Sequence, residues 1–367
     1  MVKERNRAML HQIYRKLFET LRKRGGLYAA RDIPEFYALV ETLFSPEEAE
    51  VQCAMPPTPF TAEMIAKEMN RNEAEISRIL EAMANKGCCG SQEVGGKHWY
   101  LAMTLNILSE VPFISGSKSE WHRQVAKRVH EYRSAIDGSE GPPKITFPVM
   151  RMIPIEVTIQ ADSRVRNYEQ MTHYLDNSDL IAVNHCYCRH AAALANEKDV
   201  CNKPNEVCMT LNRAAAFVIE RGMGRKITKE EAREILQRAE EAGLVHCARN
   251  TQEITFVCSC CPDHCIHLKI ALAQPKPGLA LSSGFEAKID SALCRADGVC
   301  VQVCPASARS IDGSGVAYVD RDRCFGCGIC VTKCPWHASR LMVKEGAAVP
   351  PKDQPALLEA VKAHSKL

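Results

Sequence analysis

Cys324-Phe325-Gly326-Cys327-Gly328-Ile329-Cys330-Val331-Thr332-Lys333-Cys334-Pro335 is the stretch on which the reading of this chain turns. Its spacing, C-x2-C-x2-C-x3-C-P, is a ligand run for a [4Fe–4S] cubane. Three thiolates at steps of three close on one cluster. Gly326 and Gly328 let the backbone curl so that its N–H groups can face the sulfides. The fourth cysteine, ahead of Pro335, faces away and binds the other cluster of a two-cluster arrangement. A second copy of the run is therefore expected.

It lies upstream as Cys294-Arg295-Ala296-Asp297-Gly298-Val299-Cys300-Val301-Gln302-Val303-Cys304-Pro305. Aligned on Cys-Pro, Gly298 falls where Gly328 does, and Asp297 takes the place of the second cysteine. Crossed ligation assigns Cys324, Cys327, Cys330 and Cys304 to one cluster and Cys294, Asp297, Cys300 and Cys334 to the other. A carboxylate is a harder and weaker iron ligand than a thiolate. The second cluster is thus expected to be a [4Fe–4S] with a labile corner or a [3Fe–4S]. A zinc ribbon or chance cysteines fit poorly with two Cys-Pro-terminated copies. Residues 285–345 resemble a dicluster bacterial-type ferredoxin domain.

The 367 residues leave room for two or three domains, and a net charge of +3 gives no polyanion-binding signature. Nineteen cysteines would suggest disulfides in a secreted chain, but Met1–Arg24 is basic and amphipathic rather than a signal peptide. No run approaches the roughly eighteen apolar residues of a membrane span. Clustered cysteines in a reducing compartment read as metal ligands, so a cytoplasmic metalloprotein of an oxygen-poor setting is expected.

Leu10, Ile13, Tyr14, Leu17, Phe18 and Leu21 recur at helical spacing, ended by Gly25-Gly26. Residues 60–101 read as a winged helix-turn-helix, with a would-be recognition helix over Glu73–Lys86 and a wing over Gly87–Tyr100. Residues 61–100 hold five cations against six anions, a net of −1. A phosphate reader needs the opposite balance, so protein contact is the expected use and nucleic acid is not an expected partner. A breaker at Gly138–Pro143 ends a domain over 1–140.

A small α/β cysteine-rich middle domain is expected over 145–280, with an edge strand at Val149–Ile159 interrupted by Pro154. Its cysteines fall into two sets, Cys186, Cys188, Cys201 and Cys208, then Cys258, Cys260, Cys261 and Cys265. Two sets of four suffice for two more cubanes, and ligands shared across the sets remain an option. Vicinal Cys260-Cys261 diverge on extended backbone, which weighs against one shared centre. Zinc is the alternative, with His185, His190, His264 and His267 at hand. Cys53, Cys88, Cys89 and Cys247 read as packing residues. Cys88-Cys89 would be redox-reactive if the wing exposed it, and Cys247 retains a ligand role as an option. Residues 346–367 read as a tail with a short helix over Gln354–His364.

The order of winged helix, Cys186-x-Cys188-Arg189, Glu220–Arg225, Glu241–His246, Cys258-x-Cys260-Cys261 and terminal dicluster run is similar to a family of 4Fe-4S dicluster proteins of anaerobic bacteria and archaea. The resemblance spans roughly residues 50–345 and departs from the family at Asp297 and at Pro262-Asp263-His264. It implies an α+β chain that transfers electrons with a redox partner, a larger oxidoreductase, rather than an independent catalyst. Neither G-x-G-x-x-G nor a Walker loop is present. The expectation is a relay of up to four clusters. A winged-helix DNA regulator and a small-molecule reductase with an open iron are the alternatives. The sequence sets no oligomeric state.

Overall fold

Local capping signals set most element boundaries in the N-terminal third. In a computed structural model, which describes residues 2–155, 159, 165–195, 201–281 and 283–364, with side chains from residue 11, the chain mixes helix and sheet as an α+β fold. It forms two compact units. One is Met1–Pro143 with Tyr187–Val200 and Ala216–Gly224; the other is Lys144–Cys186, Cys201–Ala215 and Arg225–Leu367.

In the first unit the helix Val2–Arg24 buries Tyr14, Leu17, Phe18 and Leu21 on one face; the side chain of Leu10 lies outside the described residues. A capping box of Ser45 and Glu48 opens the helix Pro46–Ala54. The Thr61 hydroxyl accepts from the Met64 N–H at the start of Ala62–Met69, and Asn70, at φ +50°, ends it in the left-handed region. Asn72 accepts from the N–H groups of Ala74 and Glu75 to open Glu73–Asn85. A hairpin of β1 (Gly90–Val94) and β2 (Lys97–Leu101) follows, and Gly95 and Gly96 at its tip both take positive φ, as a two-residue turn requires. Cys88 and Cys89, just before β1, are fully buried, so the exposure that would make them reactive is not met. Burial pushes the Cys88 thiol up to about 12.

The second unit is built on a six-stranded sheet, antiparallel in every pairing. Its strands are β3 (Met150–Met152), β4 (Ile181–His185), β5 (Glu206–Leu211), β6 (Arg225–Ile227), β7 (Val245–Arg249) and β8 (Phe256–Cys260), in the order β3-β7-β8-β5-β4-β6. β3 lies at an edge. The strand expected over Val149–Ile159 is shorter, ending at Met152 ahead of Pro154, and residues 156–158 fall outside the described residues.

Alternation along each strand sorts side chains onto two faces. One face carries Val207, Met209, Leu211, Ala248 and Val257, packed with Ile235 and Leu236 of the helix Lys229–Glu241. The other carries Met150, Met152, Val245, Cys247 and Cys260, packed with Leu268 of the helix Ile266–Leu272. Its core continues through Ala306, Ala308, Phe325 and Ile329, so residues 145–280 and the C-terminal loops share one core.

Four short strands frame those loops. β9 (Phe285–Ile289) pairs with β12 (Ser339–Val343), and β10 (Arg309–Ile311) with β11 (Ala317–Val319), both antiparallel. The final segment is tied down. The N–H groups of Gln252 and Glu253 donate to the carbonyls of Pro351 and Lys352, at 2.8 and 3.2 Å, and Leu357 of Gln354–His364 is buried.

Candidate metal centres

The C-terminal unit repeats its local geometry with a thirty-residue step. Ala296 and Gly326 both take left-handed φ, +53° and +67°, just before Asp297 and Cys327. Gly298 and Gly328, also at positive φ, open the short helices Val299–Gln302 and Ile329–Thr332 that carry Cys300 and Cys330. Ser307 and His337 take left-handed φ three residues after Cys304 and Cys334. The repeat departs from symmetry where Gly326 packs. A Cβ there would lie 2.1 Å from the Phe285 carbonyl oxygen, so only glycine fits.

This geometry brings Cys304, Cys324, Cys327 and Cys330 together. Burial pushes the Cys327 thiol far up, and Cys330, Cys304 and Cys324 add to the rise. Burial also raises Cys330, to about 11, against the pull of Arg309. Cys294, Cys300, Asp297 and Cys334 meet in a second place: all four line one open pocket, and the other three act on the Cys300 thiol, whose rise comes first from burial. Backbone amides serve both places. The Ala308 N–H donates to Cys304 Sγ (3.2 Å) and the Ala317 N–H to Cys294 Sγ (3.4 Å).

The middle cysteines group by strand register. Cys247 of β7 stands opposite Cys258 of β8, and Cys208 of β5 falls beside Cys258, one step on from the Met209–Val257 pair. Three adjacent strands thus present a row of thiols on one face. Cys208 meets Cys186 and Cys258, Cys258 meets Cys260, and Cys260 meets Cys247 and Cys265. These contacts run across the two sets written from sequence order, the shared arrangement that the sequence left as an option. Cys188 lies half-buried on the helix Tyr187–Leu194. Cys201 Sγ sits 3.8 Å from Cys261 Sγ, and both pack with the opposite face of the sheet. The physical reason is pleat: Cys260 and Cys261 are neighbours on extended chain and point to opposite sides.

Residues 293–338 match the family model of the 4Fe-4S dicluster domain. Neither the curated proteins nor the solved structures gave a match to the chain. The match covers the C-terminal loops alone, and that dicluster domain is of ferredoxin type, whose chemistry is iron–sulfur electron transfer. Among the described residues, no helix is long and apolar enough to cross a membrane.

The donor sets of the dicluster domain fit such clusters. Burial and the neighbouring sulfurs raise Cys327, Cys330 and Cys304, so these thiols become thiolates together only around a cationic centre, and metal binding releases their protons. Arg309, 5% exposed, is the cation built into this place. Its Nη2 donates to Cys330 Sγ at 2.8 Å, while Nη1 is buried without a protein partner. Burial works against its charge, but the sulfurs of Cys330, Cys300 and Cys324 more than restore it. Sequence reasoning missed Arg309; the signal was a cation standing where the second copy has Ser339.

At Asp297 both carboxylate oxygens are engaged. Oδ1 accepts from the Val299 N–H (3.1 Å) and Oδ2 from the indole N–H of Trp336 (2.9 Å). Trp336 falls where the first copy has Ala306, so the two departures from the repeat touch.

Proposed function

We propose that this chain relays electrons between a docked redox protein and centres buried in its own sheet. Cys304, Cys324, Cys327 and Cys330 hold one cluster, and Cys294, Asp297, Cys300 and Cys334 a second. A third is held by thiols of the group Cys186, Cys208, Cys258, Cys260 and Cys265, with Cys247 against it. An iron–sulfur cluster supplies one-electron chemistry at nearly fixed geometry. The protein's part is to hold the thiolates, exclude water and fix charge.

The observation that carries this reading is the single core that contains Cys247, Cys260 and Cys265 together with Cys304, Cys324 and Cys327. Cys247 lies close enough to Cys327 to act on its charge, and the Ile155 N–H donates to the Cys327 carbonyl at 3.3 Å. No solvent layer separates the middle thiols from the dicluster domain. At the other end Ile311 and Trp336 line the Asp297 cavity and stay exposed, as does Leu293 beside Cys294, which suits an entry point for the partner, a larger oxidoreductase. At the level of sequence we divide the chain into 1–140, 145–280, 285–345 and a tail at 346–367.

Iron and acid-labile sulfide per chain, measured on anaerobically purified protein, test the relay. About twelve irons with matching sulfide are expected, four for each of three clusters. About eight would leave the middle thiols without iron and sink the reading.

A second reading has one observation in its favour. The Asp297 cavity offers a weak carboxylate corner to a small molecule, which would bind iron there. Asp297→Cys should then abolish any substrate-dependent change in that cluster's EPR signal. We read residues 60–101 as a winged helix used for protein contact. Arg71 pairs with Glu75 and Glu50, and Lys86 with Glu48, which leaves few cations for a groove.

A further inference from the structure

The sheet face opposite the thiol row holds a different constellation. Cys201, Cys261, Asp263 and His264 place their donor atoms within 4.8 Å of one another. Three of the four come from one turn, Cys261–His264, closed by the Cys265 N–H donating to the Cys261 carbonyl at 3.1 Å. The fourth, Cys201, arrives from the segment that leads into β5. Cys261 is fully buried and His264 is 7% exposed, whereas Asp263 faces solvent.

We propose that Cys201, Cys261, His264 and Asp263 form a mononuclear tetrahedral zinc site, separate from the iron–sulfur centres. The distances fit a single ion. A tetrahedron with metal–sulfur bonds of about 2.3 Å has a sulfur–sulfur edge of about 3.8 Å. The Cys201–Cys261 separation is 3.8 Å, and Cys261 Sγ lies 3.8 Å from His264 Nδ1. Thiols of a cubane each bind a different iron and stand further apart than one edge. A disulfide would need the sulfurs at about 2.05 Å.

The donor set narrows the metal. Two thiolates disfavour calcium and magnesium, which take oxygen ligands, and a mixed sulfur, nitrogen and oxygen tetrahedron suits zinc. Zinc is redox-silent, so the site would tie the Cys201 segment to the end of β8 without entering electron transfer. Asp263, the exposed donor, is the exchangeable ligand.

The test is zinc content and zinc-edge X-ray absorption of the full chain, purified anaerobically. We expect one zinc per chain with two sulfur and two nitrogen or oxygen neighbours. Cys261→Ser should lose that zinc with iron and sulfide unchanged. Because a buried position is altered, Asp263→Ala supplies a gentler probe: zinc retained, its shell changed, and its removal by a chelator at least several-fold faster. Absence of zinc, a single iron in the same shell, or a loss of about four irons in Cys261→Ser would each overturn the assignment. The relay reading fails separately, by missing iron with zinc retained.

Discussion

The dicluster domain and the middle sheet both gather buried thiols, but by different routes. In the loops, Cys324, Cys327 and Cys330 are brought together by two glycines, with Cys304 returned from the other copy. In the sheet, Cys208, Cys258 and Cys247 stand side by side because three strands lie in register, although the chain between them runs through helices and a further strand. A loop centre depends on backbone that few residues can adopt. A sheet centre depends on the whole tertiary fold being in place, since no two of its strands are joined by a tight turn, and even β7 and β8 are separated by residues 250–255.

The comparison breaks most clearly if the sheet row holds no iron. Cys258→Ser, at the middle of the row, is expected to remove about four irons per chain and leave the dicluster signals intact. Cys327→Ser should remove about four from the dicluster domain instead. Iron analysis with EPR of the reduced protein separates the two. An unchanged iron count in Cys258→Ser would reduce the row to packing.

The same contrast explains what the sequence discloses. Spacings of two and three residues are local, so the C-terminal thiols could be read as a motif, and the thirty-residue repeat located the return of Cys304 and Cys334. Strand order β3-β7-β8-β5-β4-β6 is not local. Nothing in the sequence says that Cys208 faces Cys258, or that Cys201 reaches Cys261. One part was open to inference. Two vicinal cysteines on extended chain must serve opposite faces, and Cys260-Cys261 does so. Cys247 was legible only as an option, because its ligand or packing role depends on Cys258, its partner on the adjacent strand.

A second prediction sharpens the claim about loop backbone. Gly326→Ala places a Cβ 2.1 Å from the Phe285 carbonyl at a φ of +67°. Left-handed strain and the clash together should cost roughly 3 kcal/mol. Its counterpart Ala296→Gly relieves similar strain but gains disorder in the unfolded chain, so a change within about 1 kcal/mol is expected. Urea unfolding measures both. Equal effects would mean that the two copies are packed alike, contrary to the contact with Phe285.

The smallest expected effect tests charge rather than assembly. Arg309 donates to Cys330 Sγ and lies near Cys300 and Cys324, so its cation favours the reduced, more negative state of the clusters. A charge-assisted hydrogen bond of about 1.5–3 kcal/mol corresponds to about 100 mV for a one-electron couple. Arg309→Met should therefore lower the potential of the cluster at Cys330 by up to about that amount. The cluster at Cys300 should shift less, since it receives no hydrogen bond, and the sheet centre less still. Arg309→Lys restores charge without the planar fork, so it should recover part of the shift. Potentiometric titration followed by EPR resolves the order. An equal shift at all three centres would show that Arg309 acts through the fold, and the difference between loop and sheet would then have no electrostatic content.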